Sequence, residues 1–256
     1  MQVLFPVIQG ACSYFQTLGQ ALFQVLLQSP NYPRGPPFTR MTAVKNPQNN
    51  AAADMSLLTQ HPERNLIRLQ LRQNTALQAL EAEDFESFES LLEVTDVHKG
   101  DFLLMQGVRK MEQYFIVDGT LKRVVSNNKG KEMILRFAAE GDMETSYAAW
   151  RLGQPTPYAI VCVKKARVAR LPLPEWAAFI EQRPKLAKAF EFAVMRGMSE
   201  IMAHTITLHL LDAPGRVHRF ERKHSDLVPL IPKKELAAYL NLSAETLSRL
   251  KQRGKI

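Results

Sequence analysis

The residues best suited to recognise another molecule lie in one short run near the C-terminus: Glu245, Thr246, Ser248, Arg249, Lys251 and Arg253. A carboxylate accepts a hydrogen bond from the cytosine amino group. A guanidinium donates two to guanine, and a hydroxyl serves a base or a phosphate. Lysines and arginines lacking such geometry neutralise phosphates and set register rather than sequence. Lys233 and Lys234, further upstream, are of this second kind. The chemistry is that of binding a nucleic acid, and it requires these side chains on one exposed face of a helix.

The surrounding sequence supplies that face. Residues 233–254, KKELAAYLNLSAETLSRLKQRG, read as two short amphipathic helices around a tight turn. Leu236, Ala237 and Leu240 share one face of the first helix, and Leu247 and Leu250 one face of the second. Ala237 is small where two helices must cross closely. Asn241 sits at the turn, where a positive φ is often needed and Asn follows Gly as the residue of choice. Ser243 stands at an N-cap position, free to accept from the N–H of Glu245 or Thr246, and Ala244 opens the second helix. This is the pattern of a helix-turn-helix whose second helix enters the major groove of double-stranded DNA. Any helical hairpin carries apolar and charged faces, so charge must separate the readings. Residues 216–256 hold ten Lys+Arg against four Asp+Glu, a net of +6 within a whole-chain excess of +8. Such a concentration is the electrostatic footprint of phosphate binding.

A chain of 256 residues with 46% apolar content holds one large domain or two small ones around a real core. Cys12 and Cys162 lack metal-ligand or redox spacing, and reduced thiols in a cytoplasmic protein are expected. The histidines form no ligand cluster, and no metal site is expected. No run approaches the ~20 apolar residues of a membrane span. Residues 1–54 carry only three basic groups and one acid, with apolar patches at 3–8 and 21–27 and the Pro-rich break SPNYPRGPPF. No basic region precedes the apolar part, which argues against a signal peptide. Residues 1–64 are expected to be a disordered extension or the product of a misassigned start, with Met41 and Met55 as alternative starts.

Between these ends the period changes twice. Residues 65–92 read as helical. From Glu93 short β-rich runs follow at 101–105, 113–117, 120–126, 131–137, 158–163 and 166–173, with glycines between them. Asp118-Gly119 and Asn128-Lys129-Gly130 carry hairpin signals, and the whole suggests a compact antiparallel sandwich or roll over 65–184. Residues 175–211 return to helical spacing, broken at Pro184. A heptad reading of the long part, 185–213, places Ala187, Val194, Ile201 and Leu208 at a, and Phe190, Gly197, His204 and Leu211 at d. A dimer seam over Phe190, Val194, Gly197, Ile201, His204 and Leu208 is expected, with a core helix as the alternative. Pro214-Gly215 is expected to end this helix and open the DNA-binding part, 214–256.

This order of elements resembles the Crp/Fnr family of bacterial transcription regulators, the cyclic-AMP receptor protein family. The resemblance spans roughly 65–256. It rests on KGD at 99–101, QG at 106–107, YFIVDGTLK at 114–122, GKE at 130–132, Gly141-Asp142, and KELAAYL…AETLSRL; the C-terminal half is most similar to members from the Bacteroidetes. It implies an α+β protein: a cyclic-nucleotide-binding-domain-like β-roll, a long dimerisation helix, then a winged-helix-like helix-turn-helix domain. It implies a homodimer, not an enzyme, with double-stranded DNA and RNA polymerase as its partners. It implies that Glu245 and Arg249 read a G·C-containing half-site core, with Ser248 on a base or phosphate. Where some members have an Arg before the Glu, this chain has Ala244, so the outer base preference should differ. Thr246, Lys251, Arg253, Lys233 and Lys234 are phosphate candidates, beside the cap Ser243.

The ligand site departs from the family pattern. Cyclic-nucleotide binders carry a Gly-Glu pair and then an Arg followed by a small hydroxyl residue. Here those positions fall near Ser146 and at Thr156-Pro157; Glu144 comes two residues early and Arg151 is out of place. Cyclic AMP is therefore not expected to bind, no cofactor is expected, and two isolated cysteines cannot supply an iron–sulfur cluster. Met143, Glu144, Ser146, Thr156 and Tyr158 remain candidates for another effector's pocket, although isolated carboxylates such as Glu144 are usually solvated. The sequence ends six residues after Leu250, where many relatives continue into a wing; either the wing is absent or the chain is truncated. The leading expectation is a dimeric regulator in which a hinge near 213–215 repositions the DNA-binding helices. The alternatives are a cyclic-nucleotide-gated regulator, a stand-alone cyclic-nucleotide-binding module of a channel or kinase, and an enzyme. No catalytic motif supports the last of these.

Overall fold

The computed structural model describes residues 55–127 and 130–254. Nine strands among them form two antiparallel sheets. One sheet runs β1 (Ser56–Leu57), β2 (Glu93–Val97), β9 (Ala166–Pro172), β4 (Glu112–Asp118), β7 (Met143–Thr145). The other runs β3 (Phe102–Leu104), β8 (Ala159–Cys162), β5 (Thr120–Ser126), β6 (Glu132–Ala139). The expected roll is present, and β1, β2 and β7 join the six strands read from the sequence. The helices are α1 (Arg64–Leu71), α2 (Ala82–Glu89), α3 (Tyr147–Arg151), α4 (Leu173–Glu181), α5 (Pro184–Leu210), α6 (Ala213–Lys223), α7 (Lys233–Tyr239) and α8 (Ala244–Gln252).

Four local expectations need correction. Residues 1–54 lie outside the described residues, but the extension expected over 1–64 overlaps the folded body: Ser56 pairs with Val94, and Leu58 is completely buried. The helical stretch 65–92 is split, because the Asn74 carboxamide oxygen accepts from the N–H groups of Ala76 and Leu77 at 3.0 and 3.2 Å. This local turn competes with helix, and the Asn74 amide ties the break to the roll by donating to the Gly141 carbonyl at 2.9 Å. Asp118-Gly119 makes no hairpin, since β4 and β5 belong to different sheets. Gly119, at φ 92°, is the corner between them; a Cβ there would meet the Lys165 carbonyl oxygen at 2.4 Å. Pro214-Gly215 does not end the long helix. That helix stops at Leu210, and Asp212 caps the next one by accepting from the Gly215 N–H at 3.0 Å, with Pro214 in its first turn.

Two apolar cores result. The first lies inside the roll, where Phe88, Phe115, Trp176, Phe179 and Phe190 pack in edge-on and tilted contacts under α1, α2, α4 and the start of α5. The second lies on the outer face of the four-stranded sheet. Along β8 and its next residue the side chains alternate: Ile160 and Cys162 enter the inner core, while Ala159, Val161 and Val163 enter the outer one. Val124, Ile134 and Phe137 join them, and Val217, Phe220, Leu227, Ile231, Leu236 and Tyr239 of the C-terminal helices cover them. Burying Val124, Ile134, Phe137, Val161 and Val163 is worth ~1.5–3 kcal/mol each, so on the order of 10 kcal/mol as an upper value. An ion pair at the margin, Lys122 Nζ to Glu235 Oε2 at 2.8 Å, joins the same two surfaces.

Candidate nucleic-acid interface and effector cavity

Helices α7 and α8 are joined by the turn the sequence indicated. Asn241 has φ 54°, the one non-glycine residue with positive φ among those described, and Ala237 is buried at the crossing. The Leu242 N–H reaches back to the Ala237 carbonyl at 2.8 Å, closing the end of α7. Ser243 Oγ accepts from the Thr246 N–H at 3.1 Å, fixing the start of α8. Leu236, Leu240 and Leu247 are buried between the helices. Ser243, Ala244, Glu245, Ser248, Arg249, Lys251 and Arg253 are exposed, as are Lys233 and Lys234 at the start of α7; Thr246 is half-buried and lies 3.0 Å from the cap hydroxyl. Glu245, Ser248 and Arg249 share one face at i, i+3, i+4 spacing. Hydrogen bonding to its own backbone N–H and to Ser243 holds the Glu245 carboxyl below its usual range. Among the described residues, no ion pair engages Glu245, Arg249, Lys251 or Arg253.

The long helix α5 presents a different apolar face from the one read as a heptad seam. Phe190, Gly197 and His204 are buried against the body, and Val194, Ile201 and Leu208 are half-buried. The seam is thus the helix's inner side. Gly197 lies close over Arg136: a Cβ there would sit 3.1 Å from Arg136 Nη1. The exposed stripe is Phe192, Met195, Met198, Met202, Ile206 and Leu210, spaced three or four apart. A helix with apolar residues on two sides defeats a single heptad frame, and only burial separates the sides.

His204 stacks flat on Tyr239, with ring centroids 3.7 Å apart and planes at 4°, and its Nε2 is buried without a hydrogen-bond partner. Burial lowers its pKa to about 4. The neutral ring is the stable form, so this contribution is intact above pH 6.5 and is lost as pH falls from 6.5 towards 4. The loss is on the order of 2 kcal/mol after allowance for screening. Urea titrations across this window should show the decline, and His204→Phe should flatten part of it; an unchanged profile would remove His204 as its cause. His224, also lowered by burial, contributes in the same direction.

A cavity of about 510 Å³ lies between the roll, α5 and the end of α6. Arg123, Arg136, Met143, Thr145 and Tyr158 form its roll side, Val194, Gly197 and Glu200 its α5 side, and Lys223, His224, Asp226 and Leu227 its third wall. Of the five expected effector residues, Met143 and Tyr158 line it; Glu144, Ser146 and Thr156 lie behind the wall. Glu144 is far from solvated, at 1% exposure. Arg123 donates to its Oε2 from Nε at 2.9 Å and Nη2 at 2.5 Å, and Arg136 Nε lies 3.3 Å from Oε1 without hydrogen-bond alignment. Arg123 also covers the Tyr158 ring at 4.2 Å. Burial is the largest single influence on Arg123 and works to lower its pKa, but the Glu144 charge, the neighbouring Tyr158 and the hydrogen bond to Glu144 together outweigh it and the net shift is upward. Sequence reasoning missed Arg123 and Arg136; the visible signal was a charge at inward strand positions of TLKRVVS and MILRF.

At the positions of the expected carboxylate and guanidinium the structure has a neutral pair. Ser146 Oγ and Thr156 Oγ1 are 2.6 Å apart, both buried, and the Thr156 hydroxyl also reaches the Tyr158 carbonyl at 3.1 Å. Residues 94–183, which include β2 to β9 and this pair, match the cyclic nucleotide-binding domain family. That stretch of the chain is similar to the family. Curated relatives match at low identity. The nitrogen fixation regulation protein FixK of Bradyrhizobium diazoefficiens is 24% identical over 190 residues, 70% of this chain and 78% of that protein. The cAMP-activated global transcriptional regulator CRP of Salmonella typhimurium is 22% identical over 158 residues, 58% of this chain and 75% of that one. Among solved structures, CooA from Carboxydothermus hydrogenoformans superposes with a TM-score of 0.59 at 16% identity, over 73% of this chain and 87% of that one. The c-di-GMP responsive global regulator CLP of Xanthomonas campestris gives 0.57 at 14%, over 68% and 92%. These likenesses establish the fold. Among the described residues no helix is long and apolar enough to cross a membrane.

Within the roll, Glu144 is a structural anion shared by two guanidiniums. Glu144→Ala leaves Arg123, itself nearly buried, without its counter-charge, and should cost about 3–5 kcal/mol of stability. Replacing Arg123 and Glu144 together by Met should recover most of it. Equal losses in the single and double variants, read from urea midpoints, would mean that packing rather than the pair matters.

Proposed function

We propose that this chain is a homodimeric, sequence-specific DNA-binding transcription regulator of the Crp/Fnr type, similar to the Bacteroidetes members. The observation that carries the reading is the α7–Asn241–α8 geometry: a helix-turn-helix in which Glu245, Ser248 and Arg249 stand together, exposed and outside any ion pair among the described residues, on the outer face of α8. In this reading Glu245 accepts from cytosine and Arg249 donates two bonds to guanine. Ser243, Ala244, Thr246, Lys251, Arg253, Lys233 and Lys234 set register on the phosphates and the groove. The DNA-binding part takes 214–256, the sensor domain 65–184, and α5 joins two copies. The seam between copies is the Phe192–Leu210 stripe rather than the inner face of α5. RNA polymerase is the partner through which a bound dimer would act.

The ligand of the sensor domain is not a cyclic nucleotide. A buried Ser146–Thr156 hydroxyl pair occupies the place where a carboxylate and a guanidinium would meet ribose and cyclic phosphate, and it offers neither charge. Selection from random duplexes tests the function: a two-fold symmetric site with a G·C-containing core is expected, and recovery of unrelated sequences would end the reading. Calorimetric titration with cyclic AMP should show no binding heat.

A further inference from the structure

Arg123 of β5 and Arg136 of β6 are direct register partners, and both line the cavity between the roll and α5. Like charges set opposite each other across a strand pair repel, so two such cations need compensation. Glu144 compensates one of them. It is 1% exposed and lies within ion-pair distance of both, Arg123 Nη2 at 2.5 Å and Arg136 Nε at 3.3 Å. Two guanidiniums, their side chains 10% and 15% exposed, thus share one buried carboxylate, and one positive charge is left over. Asp142 offsets it weakly: its carboxylate stands 3.6 Å from Arg136 Nη2, and 37% of its side chain is exposed, where water screens it. Among the described residues no ion pair joins Glu200 or Asp226, acids of the facing walls, to either guanidinium. Donors are left over as well. Arg123 spends Nε and Nη2 on Glu144 and the Thr145 carbonyl, and Arg136 spends Nε on the Phe137 carbonyl at 3.4 Å. Arg123 Nη1 and both Nη atoms of Arg136 donate to no acceptor among the described residues, and none of the three is sealed in the wall.

We infer that the cavity binds a small monocarboxylate with an apolar tail, its carboxylate bridging the spare N–H groups of Arg123 and Arg136. The inference deepens the reading of the roll as a sensor for something other than a cyclic nucleotide, and it rests on that reading. Charge selects the class. The surplus is a single positive charge, which one carboxylate matches, whereas a phosphate brings about −1.5 to −2. Asp142 and Glu200 line the same cavity and oppose the excess. Burial, the largest influence on Asp142, lifts its carboxyl above the usual range in spite of Arg136, and Glu144 and Glu200 add to the lift. That side therefore already resists further negative charge. A planar guanidinium meets a carboxylate with paired N–H bonds. Met143, Tyr147, Ala193 and Val194 offer the tail its surface, in a volume of about 510 Å³ that suits a small molecule. Both cations belong to the roll, and the apolar wall to the roll and α5. The site does not depend on where the C-terminal helices stand.

Calorimetric titration of the full chain with hexanoate tests this. Hexanoate should bind saturably, with a dissociation constant of ~1 mM or below. Hexanamide, its uncharged counterpart, should bind at least ~10-fold more weakly. Inorganic phosphate and succinate should also bind more weakly than hexanoate. Arg136→Gln removes the surplus charge and leaves the Arg123–Glu144 pair in place. Its urea midpoint should stay near that of the unaltered protein, while hexanoate affinity falls about tenfold or more. Equal affinity for hexanoate and hexanamide would overturn the inference, as would tighter binding of phosphate or succinate. So would the absence of saturable hexanoate binding below ~10 mM. These comparisons use the unaltered protein, so a variant that fails to fold does not spoil the test. The two readings fail separately. A selected duplex site without hexanoate binding removes this inference alone, and hexanoate binding without a selected site removes the DNA-binding reading alone. Binding heat from cyclic AMP would overturn the reading of the roll on which the inference rests.

Discussion

Met202→Glu should convert the protein from dimer to monomer at micromolar concentration and weaken binding to the two-fold site by more than ~100-fold. Met202 lies at the centre of the exposed stripe on α5, flanked by Met195 and Met198 on one side and Ile206 and Leu210 on the other. In a two-fold seam each residue near the axis meets its own copy, so the substitution places two carboxylates face to face in an apolar setting. Each lost methionine forfeits ~1.5–3 kcal/mol of burial. Each unpaired buried charge adds a penalty of several kcal/mol. The inner face of α5 makes the opposite prediction for the same position. If Ile201 and Leu208 formed the seam, Met202→Glu would leave the dimer intact in sedimentation equilibrium, and the stripe would need another explanation. The DNA effect follows because a monomer engages one half-site and loses the joined second contact.

Arg249→Ala should lower affinity for the selected duplex by ~10–100-fold while leaving affinity for random duplex nearly unchanged. A good bidentate contact to guanine is worth ~1–3 kcal/mol of base discrimination. Two copies act in a dimer, so the upper end of the range is the expectation. The salt dependence should barely change, because the slope reports phosphates neutralised rather than bases read. Lys251→Ala should do the reverse, weakening specific and random duplex alike and flattening the slope by ~1. If Arg249→Ala instead flattens the slope and spares base preference, Arg249 is a phosphate contact and the reading of α8 must move to Glu245 and Ser248.

The C-terminal site was legible because its determinants are local. Asn241 takes the positive φ that its place between two helices requires, and Ser243 caps as its spacing demands. Strand positions were legible for the same reason, from β-branched runs between glycines. What escaped was every feature that depends on which surface an element meets. Asp118-Gly119 carries a hairpin's chemistry, yet turns a corner between sheets, because the choice rests on Ala166 and Lys165 packing against it from 46–48 positions along the chain. The heptad reading of α5 follows its inner side, where Gly197, a weak heptad position by sequence, lies close over Arg136. Glu144 reads as an ordinary surface acid until Arg123 and Arg136 converge on it from β5 and β6. The run AIVCV could have shown that β8 is buried on both faces, since a strand with one wet face alternates and this one does not.

The central claim, that this protein reads DNA sequence through α8, is tested most directly by binding isotherms for the selected duplex and for a scrambled one across a salt series. The selected duplex should bind ~10³-fold more tightly or better at physiological salt, and the ratio should narrow in Arg249→Ala. If both duplexes bind equally and weaken in parallel as salt rises, with wild type and Arg249→Ala alike, the basic C-terminal face is a sequence-blind polyanion surface and the claim is wrong.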